Sequence, residues 1–582
     1  MTVFLILCLL LPLALLAQGW MDHDGAEAGP GAFMGRLIDW PSRSVVARFL
    51  LIGLGIIVVV TTASTIIDEK PFLFDDSFIS YRYAKNLAAG YGLVWNPGEV
   101  PSEGYTNLLL VLLVAPVIKL GGDPLFAARM ISLAAAAGMS FVVYRMACRE
   151  LGSDPVVAGI LAMGIFTFSS TVELTMLGLE TVAFAATMFL SYDLAQHFFE
   201  TDRNGWMLAS GAVAFAAFLL RPEIVFLPIA IVAALLLLES RDRKRLFRVV
   251  ALLAGSFALP LSLYLCWKLS YFGSIWPNPA FVKMNGQGLV RAMGVGSISN
   301  FVGLHEKVIL MAGIGLLFSK GRSRAALTCS LVVLAYILFY LRVDTLMDTH
   351  NRFLYPAFPF LLVIALPALR FFVEGFIGWR QVTPVRLVVG AILFMIVFYP
   401  NPGGALRRVA GGARPDAVTD REIHRASTVL RRLGTELATY GEIASVTIGS
   451  TDAGLLPYTS GARHIDMAGL TTRFIAEHKD VQVAADYFFS QKPDLIILRA
   501  KIGGALIDYE HGTLGDYPRW AHHPGWNSYR FVAGAHAGPR FDLYFFLRRD
   551  GRHEPALERL IRQRLSDAGI SELTTVMGTA RP

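Results

Sequence analysis

Cysteine is scarce. Cys8, Cys148, Cys266 and Cys329 are the only four, all in or beside apolar runs, and the last third of the chain has none. That excludes a disulfide framework, and none of the four has the spacing of a zinc site. Charge is scarce as well: 17% of residues are charged against 54% hydrophobic, which does not fit a water-covered globule. No P-loop or dinucleotide fingerprint occurs, so no nucleotide site is legible. The formal charge of +7 gathers at the ends of apolar runs, where the positive-inside rule places Lys and Arg, and so does not indicate nucleic-acid binding.

What is abundant is apolar runs. A span needs roughly 20 mostly apolar residues. Phe49–Ile67, Phe126–Met146, Val156–Leu174, Thr181–Phe198, Trp206–Leu220, Ile224–Leu238, Val249–Trp267, Val308–Phe318, Leu327–Leu341, Phe353–Val373 and Leu387–Tyr399 predict about eleven transmembrane helices. Arg241, Arg243, Lys244, Arg245 and Arg248 mark one cytoplasmic loop, and alternation from there puts residues 68–125 in a large first extracytoplasmic loop. Thr106–Leu120 is apolar but short, and reads as a half-inserted or interfacial helix within that loop. Residues 1–47 form an N-terminal segment whose run Val3–Ala17 lacks a basic flank. It is either an extra span or translated from an upstream start, with Met34 the true first residue. Residues 48–400 form the membrane domain. Residues 401–582 are too polar to span, and they carry strand-like Val446-Thr447-Ile448 and Leu495–Leu498 beside a helical Arg421–Leu437. The expected architecture is a polytopic α-helical membrane protein with a C-terminal extracytoplasmic α/β domain.

Polar residues collect at the outward ends of the spans. These are Asp75 and Asp76, Glu173 and Glu180, Arg221 and Glu223, Asn278 and Lys283, and Asp344, Asp348, His350 and Arg352. Ionisable groups near membrane depth are costly and mark cavities or partners. Phe78, Tyr81, Ala84 and Leu87 fall at helical spacing, which predicts an amphipathic helix lying along the outer surface with Asp75 or Asp76 as its N-cap. Two adjacent carboxylates exceed what a cap needs, so one is free to act in a cavity. Arg221-Pro222-Glu223 reads as a self-paired turn or as a phosphate-facing guanidinium, and His350-Asn351-Arg352 as a snorkelling loop or as a second cation for the same anion. Trp276 reads as a membrane anchor before a sugar stacker. Glu180 and Glu173 flank Gly178 as caps or as a second acid. His511, Tyr517, Trp520, His522, His523, Trp526 and Tyr529 suit either an acceptor-binding surface or an ordinary folded loop. The aspartate pair leaves a divalent metal open, with no full ligand set.

Three first-loop stretches carry a resemblance. They are Asp75-Asp76-x-Phe78-Ile79-x-Tyr81-Arg82-Tyr83-Ala84-x-Asn86, Gly92-Leu93-Val94-Trp95-Asn96-Pro97-Gly98-Glu99 and Glu103-Gly104-Tyr105-Thr106-Asn107. Together they resemble the opening of bacterial GT-C glycosyltransferases, in particular the group of the mycobacterial terminal arabinofuranosyltransferase. Gly178-Leu179-Glu180-Thr181, Arg221-Pro222-Glu223, Tyr271-Phe272-Gly273, Pro277-Asn278, Arg352-Phe353-Leu354-x-Pro356, Asp452-Ala453-Gly454 and Asp466-Met467-Ala468-Gly469-Leu470 continue the match in order. Ile224 and Pro279 depart from it, standing where the group commonly has Gly and Thr.

The resemblance implies a multi-pass protein of the bacterial inner membrane that moves a sugar from a polyprenyl phosphate to an extracytoplasmic glycan or lipid acceptor. Asp75 or Asp76 would be the general base, and Arg221, His350 and Arg352 would meet the donor phosphate. Glu180, Glu223, Asn278, Lys283 and Asp348 would line the same pocket. One base favours inversion, whereas retention usually needs a second carboxylate. A transporter or flippase of a lipid-linked substrate is the alternative, which internal repeats and mid-depth polar residues would favour.

Overall fold

The computed structural model describes residues 73–150, 155–239, 241–284, 291–319, 323–343, 345, 348–376, 427–501, 514, 520–536 and 541–567. The runs expected at Val3–Ala17, Phe49–Ile67 and Leu387–Tyr399 lie outside these, as do Asp344, His511 and Tyr517.

The helical part opens with α1 (Asp75–Ala88), α2 (Leu108–Lys119), α3 (Pro124–Glu150), α4 (Pro155–Thr167), α5 (Ser169–Met176), α6 (Thr181–Thr201) and α7 (Asn204–Phe218). It continues with α8 (Phe226–Leu238), α9 (Arg243–Leu253), α10 (Leu259–Phe272), α11 (Asn278–Met284), α12 (Ala292–Phe318), α13 (Arg324–Tyr340) and α14 (Phe358–Phe376). Four helical stretches among the described residues are long and apolar enough to cross a membrane: Pro124–Arg149, Arg243–Phe272, Ala292–Phe318 and Thr349–Phe371. The stretch Arg243–Phe272 runs from α9 through a π turn at Ala254–Ala258 into α10. Leu108–Lys119, Asn204–Phe218, Pro222–Leu238 and Arg324–Tyr340 are shorter apolar helices.

Three elements differ from expectation. The run Val156–Leu174 is two helices, α4 and α5, broken where Phe168 leaves helical geometry (ψ 130°) to stack on Phe358. The run Val308–Phe318 is only the apolar half of the 27-residue α12, whose first half is rich in Gly and Ser and so escapes a hydropathy scan. The third is α1. It is not an exposed amphipathic helix, since Ser77 to Ala84 and Asn86 are all buried. Its N-cap is Phe74 rather than an aspartate. Asp75 and Asp76 instead occupy the first turn, where carboxylates suit the positive end of the helix dipole. The 12 residues of α2 make a rod of roughly 18 Å, short of the ~30 Å hydrocarbon layer.

The C-terminal part begins with helix α15 (residues 427–437) and builds a five-stranded mixed sheet. Its strands are β1 (Thr447–Ser450), β2 (Arg463–Asp466), β3 (Leu495–Lys501), β4 (Tyr529–His536) and β5 (Phe541–Arg548), in the order β2-β1-β3-β5-β4. The first three pair in parallel, and β5 closes antiparallel on both β3 and β4. Helices α16 (Leu455–Ser460), α17 (Arg473–Glu477), α18 (Val481–Ser490) and α19 (Glu554–Asp567) complete it. One hydrophobic cluster runs without a break from α1 and the membrane-type helices into Val446, Leu455 and Leu456, so the two parts share a core. A second cluster holds Trp520, Trp526, Tyr529 and Phe488. Three of the aromatics expected at an acceptor surface fill this core instead: Trp520 is 0%, Trp526 3% and Tyr529 4% exposed, and His523 stacks on Phe489 at 4.9 Å while meeting Asp486 at 2.9 Å.

Candidate active site

Successive residues on a helix point about 100° apart, and the two aspartates of α1 reach different neighbours. Asp75 turns to the C-terminal part. Its Oδ2 accepts from Gly454 N at 3.0 Å and its Oδ1 from Leu455 N at 2.8 Å. Burial, and then the charge of Asp452, push its carboxyl up to about 7, while the Leu455 N–H pulls the other way. A Cβ on Gly454 would stand 1.8 Å from the Asp75 carbonyl oxygen, so only glycine fits there. The same seam takes the Arg82 guanidinium, which donates to the carbonyls of Pro457 and Ala462 and to Asn96 Oδ1.

Asp76 turns the other way. Its Oδ2 meets Arg352 Nη2 at 2.8 Å. Arg352 belongs to a cluster of three cations that share one aromatic ring. Arg221 Cζ, Lys283 Nζ and Arg352 Cζ stand 5.1, 4.7 and 4.9 Å from the centroid of Phe353. A ring holds such groups in place and partly replaces their water. Arg221 bonds Glu223 Oε1 at 2.8 Å, faces Glu180 Oε1 at 3.6 Å, and donates to Tyr340 Oη at 3.0 Å. Thus Arg221 is the self-paired turn as well as a member of the cluster. Lys283 has no ion-pair partner among the described residues. Burial pushes it down to about 8, helped by the nearby guanidiniums of Arg352 and Arg221 and opposed by Asp76 and Glu223. Among the described residues, Arg352 Nε and Glu223 Oε2 are buried without a hydrogen bond. A buried donor left without a partner at a cation cluster suits an incoming anion.

The other expected residues hold this cluster from behind. Asp348 Oδ1 accepts from Phe353 N at 3.1 Å and so fixes the turn that carries Arg352. In that turn His350 and Asn351 take left-handed φ of 57° and 55°, a strain kept only where surroundings enforce it. His350 Nδ1 meets Glu173 Oε2 at 3.0 Å, so its described partner is a carboxylate on α5. Asn278 is held by the first loop. Its Nδ2 donates to Ser102 Oγ at 2.8 Å and its N–H to Glu103 O at 2.9 Å, which ties the start of α11, and with it Lys283, to the first loop. Gly178 takes φ 68° and receives the Tyr81 hydroxyl at 2.6 Å on its carbonyl, at a place where a Cβ would lie 2.4 Å from that hydroxyl. Among the described residues no group of three or more His, Cys, Asp or Glu side chains could hold a metal ion.

Two polar contacts were not expected from the sequence. Glu103 and Lys268 form a buried pair at 2.6 Å, and burial pushes Glu103 up to about 7 against the pull of Lys268. A lysine inside the apolar run Leu259–Phe272 was the available signal. Tyr340 Oη, 2.5 Å from Glu223 Oε1, gave none, because a Tyr at a span end is ordinary.

With this geometry in hand, the relatives fall into place. Over 86% of its length the chain superposes on two crystal structures of ArnT from Cupriavidus metallidurans. For the one bound to undecaprenyl phosphate, the TM-score is 0.51 at 13% identity and the match covers 98% of that chain. For the apo form, the TM-score is 0.52 at 13% identity and the match covers 97%. The fold is of the GT-C type. Residues 108–267 match the family model of dolichyl-phosphate-mannose-protein mannosyltransferases, and residues 421–544 match a domain of unknown function (DUF8728). A terminal beta-(1->2)-arabinofuranosyltransferase of Mycobacterium tuberculosis is 26% identical over 276 residues, 44% of this chain and 42% of that protein. The chain thus aligns with less than half the length of that curated relative. The GT-C likeness read from the first loop extends to the fold of most of the chain.

Proposed function

We propose that this protein is a glycosyltransferase of the bacterial inner membrane that moves a sugar from a polyprenyl phosphate to an extracytoplasmic glycan or lipid acceptor. The C-terminal domain then lies on the extracytoplasmic side. One observation carries the reading: Arg221, Lys283 and Arg352 converge on Phe353 beside Asp76, and Lys283 has no carboxylate of its own among the described residues. The fold it shares with an ArnT solved with undecaprenyl phosphate supports that choice of donor.

In this reading the donor phosphate sits among the three cations. Its arrival competes with Asp76 for Arg352 and leaves the Asp76 carboxylate free beside the reacting carbon. The acceptor oxygen attacks the anomeric carbon and Asp76 takes its proton. The bond from that carbon to the phosphate oxygen breaks, its electron pair stays on the leaving polyprenyl phosphate, and the cations stabilise the charge. With one base at the reacting carbon the displacement inverts the anomeric centre. Asp75, bonded to two backbone N–H groups, positions the domain rather than the proton.

Binding of undecaprenyl phosphate to the purified protein, together with transfer from a labelled polyprenyl-phosphate sugar, tests this. Asp76→Asn is expected to keep the lipid and to lose transfer by a factor on the order of 10²–10⁴. A protein that does not bind undecaprenyl phosphate is not this enzyme, and transfer at the wild-type rate by Asp76→Asn removes Asp76 as the base.

A further inference from the structure

Asn107 stands at the N-cap of α2, a position where an Asn side chain ordinarily accepts from a first-turn N–H and contributes about 1 kcal/mol. Here it makes no capping bond. Its amide points elsewhere. Oδ1 accepts from Ser80 Oγ at 2.9 Å, and Nδ2 donates to Glu180 Oε2 at 2.8 Å. A carboxylate only accepts, so the NH₂ must face Glu180 and the carbonyl must face the serine hydroxyl. All three side chains are buried.

The effect on Arg221 is visible in two distances. Glu223 grips Nη2 at 2.8 Å, whereas Glu180 stands back from Nη1 at 3.6 Å. A free carboxylate opposite a guanidinium closes to about 2.8 Å, because charge-assisted bonds are roughly twice as strong as neutral ones. Glu180 does not close, and its other oxygen is the one Asn107 holds. Ser80, in turn, lies one helical turn beyond Asp76 on the same face of α1. A continuous chain of polar contacts therefore runs from the helix of the proposed base, through Ser80, Asn107 and Glu180, to one cation of the cluster.

We propose that Asn107 is a positioning residue for the donor site: its amide restrains Glu180 so that Nη1 of Arg221 stays open to the phosphate. This rests on the glycosyl-transfer reading above. It also explains why a residue so suited to capping forgoes the cap.

The test uses the full-length protein in detergent or nanodiscs with undecaprenyl phosphate as probe. Asn107→Ser restores a good N-cap but is too short to reach Glu180. A merely structural role predicts lower thermal stability, because Ser80 Oγ and Glu180 Oε2 each lose a buried partner, with unchanged binding. The positioning role predicts that binding weakens as well, by about tenfold, equivalent to ~1.4 kcal/mol. Adding Glu180→Gln, which removes the charge that would close on Arg221, should restore affinity to within about threefold of wild type. Asn107→Asp, isosteric and lacking the same donor, should show the same loss and serves if the serine variant folds poorly. Wild-type affinity in Asn107→Ser and Asn107→Asp, or a loss that Glu180→Gln leaves unrepaired, overturns the proposal. A wild-type protein that does not bind the probe overturns the functional reading instead.

Discussion

The seam and the pocket start from adjacent residues and are built differently. At the seam, side chains reach mainly for backbone, the Arg463–Glu99 ion pair aside. Asp75 takes the N–H groups of Gly454 and Leu455, Arg82 takes the carbonyls of Pro457 and Ala462, and Arg473 takes those of Phe272 and Gly273. In the pocket, side chains reach for side chains: Asp76 with Arg352, Arg221 with Glu223, Lys283 over Phe353. Backbone partners survive most substitutions of the residue that supplies them. Side-chain partners do not, and a charge left behind in a buried site is expensive. The seam should therefore govern stability and the pocket chemistry.

The sharpest way to break this contrast is to compare the two aspartates. Asp76→Asn should lower transfer by a factor on the order of 10²–10⁴, whereas Asp75→Asn should cost less than about tenfold in rate while lowering unfolding stability by ~1–3 kcal/mol. Equal rate losses would mean that the seam and the pocket act as one site. Next in size, Arg82→Met strands two carbonyls at the seam and should destabilise by about 3 kcal/mol. Hydrogen exchange should rise across residues 455–466, with undecaprenyl phosphate binding changed by less than about threefold. Lys283→Met should weaken that binding by roughly tenfold at pH 7. Lys283 is pushed down to about 8, so in the wild type its charge, and the binding that depends on it, is lost as pH rises through that value. Lys283→Arg, whose charge persists, should flatten the decline. The smallest effect belongs to His522, which is exposed on the C-terminal domain. His522→Ala should change the acceptor KM by less than about twofold, since surface substitutions away from a site are usually near neutral. A larger change would return the segment around it to the acceptor.

The contrast also explains what could be read in advance. Charged residues interrupting apolar runs stand out, and so Arg221, Glu223, Lys283 and Arg352 were visible as a set before any of them could be placed. Which aspartate does what was not visible. It depends on a rotation of about 100° along α1 and on a backbone N–H in a residue 379 positions away. Backbone donors carry no signature in side-chain identity. Lys268 was hidden by the opposite effect, a single charge inside a hydrophobic average, and its partner Glu103 was noticed only as part of a motif. The segment around Trp520 and Trp526 was ambiguous because aromatic composition is the same whether rings face a sugar or a core. Here they fill the second core. The strands β1 and β3 and the helical start of the C-terminal domain were legible, since short apolar runs between polar turns admit few other readings.

The fit of Gly454 against Asp75 has a consequence for how the molecule is made. The ribosome delivers the first turn of α1 long before it delivers the glycine that closes on it. Until then the Asp75 carboxylate lacks both of its backbone donors. Only the arrival of the C-terminal domain completes the turn that also carries Asp76. A chain cut short before residue 454 therefore keeps Arg221, Lys283 and Arg352 but lacks the two N–H groups that hold the first turn of α1.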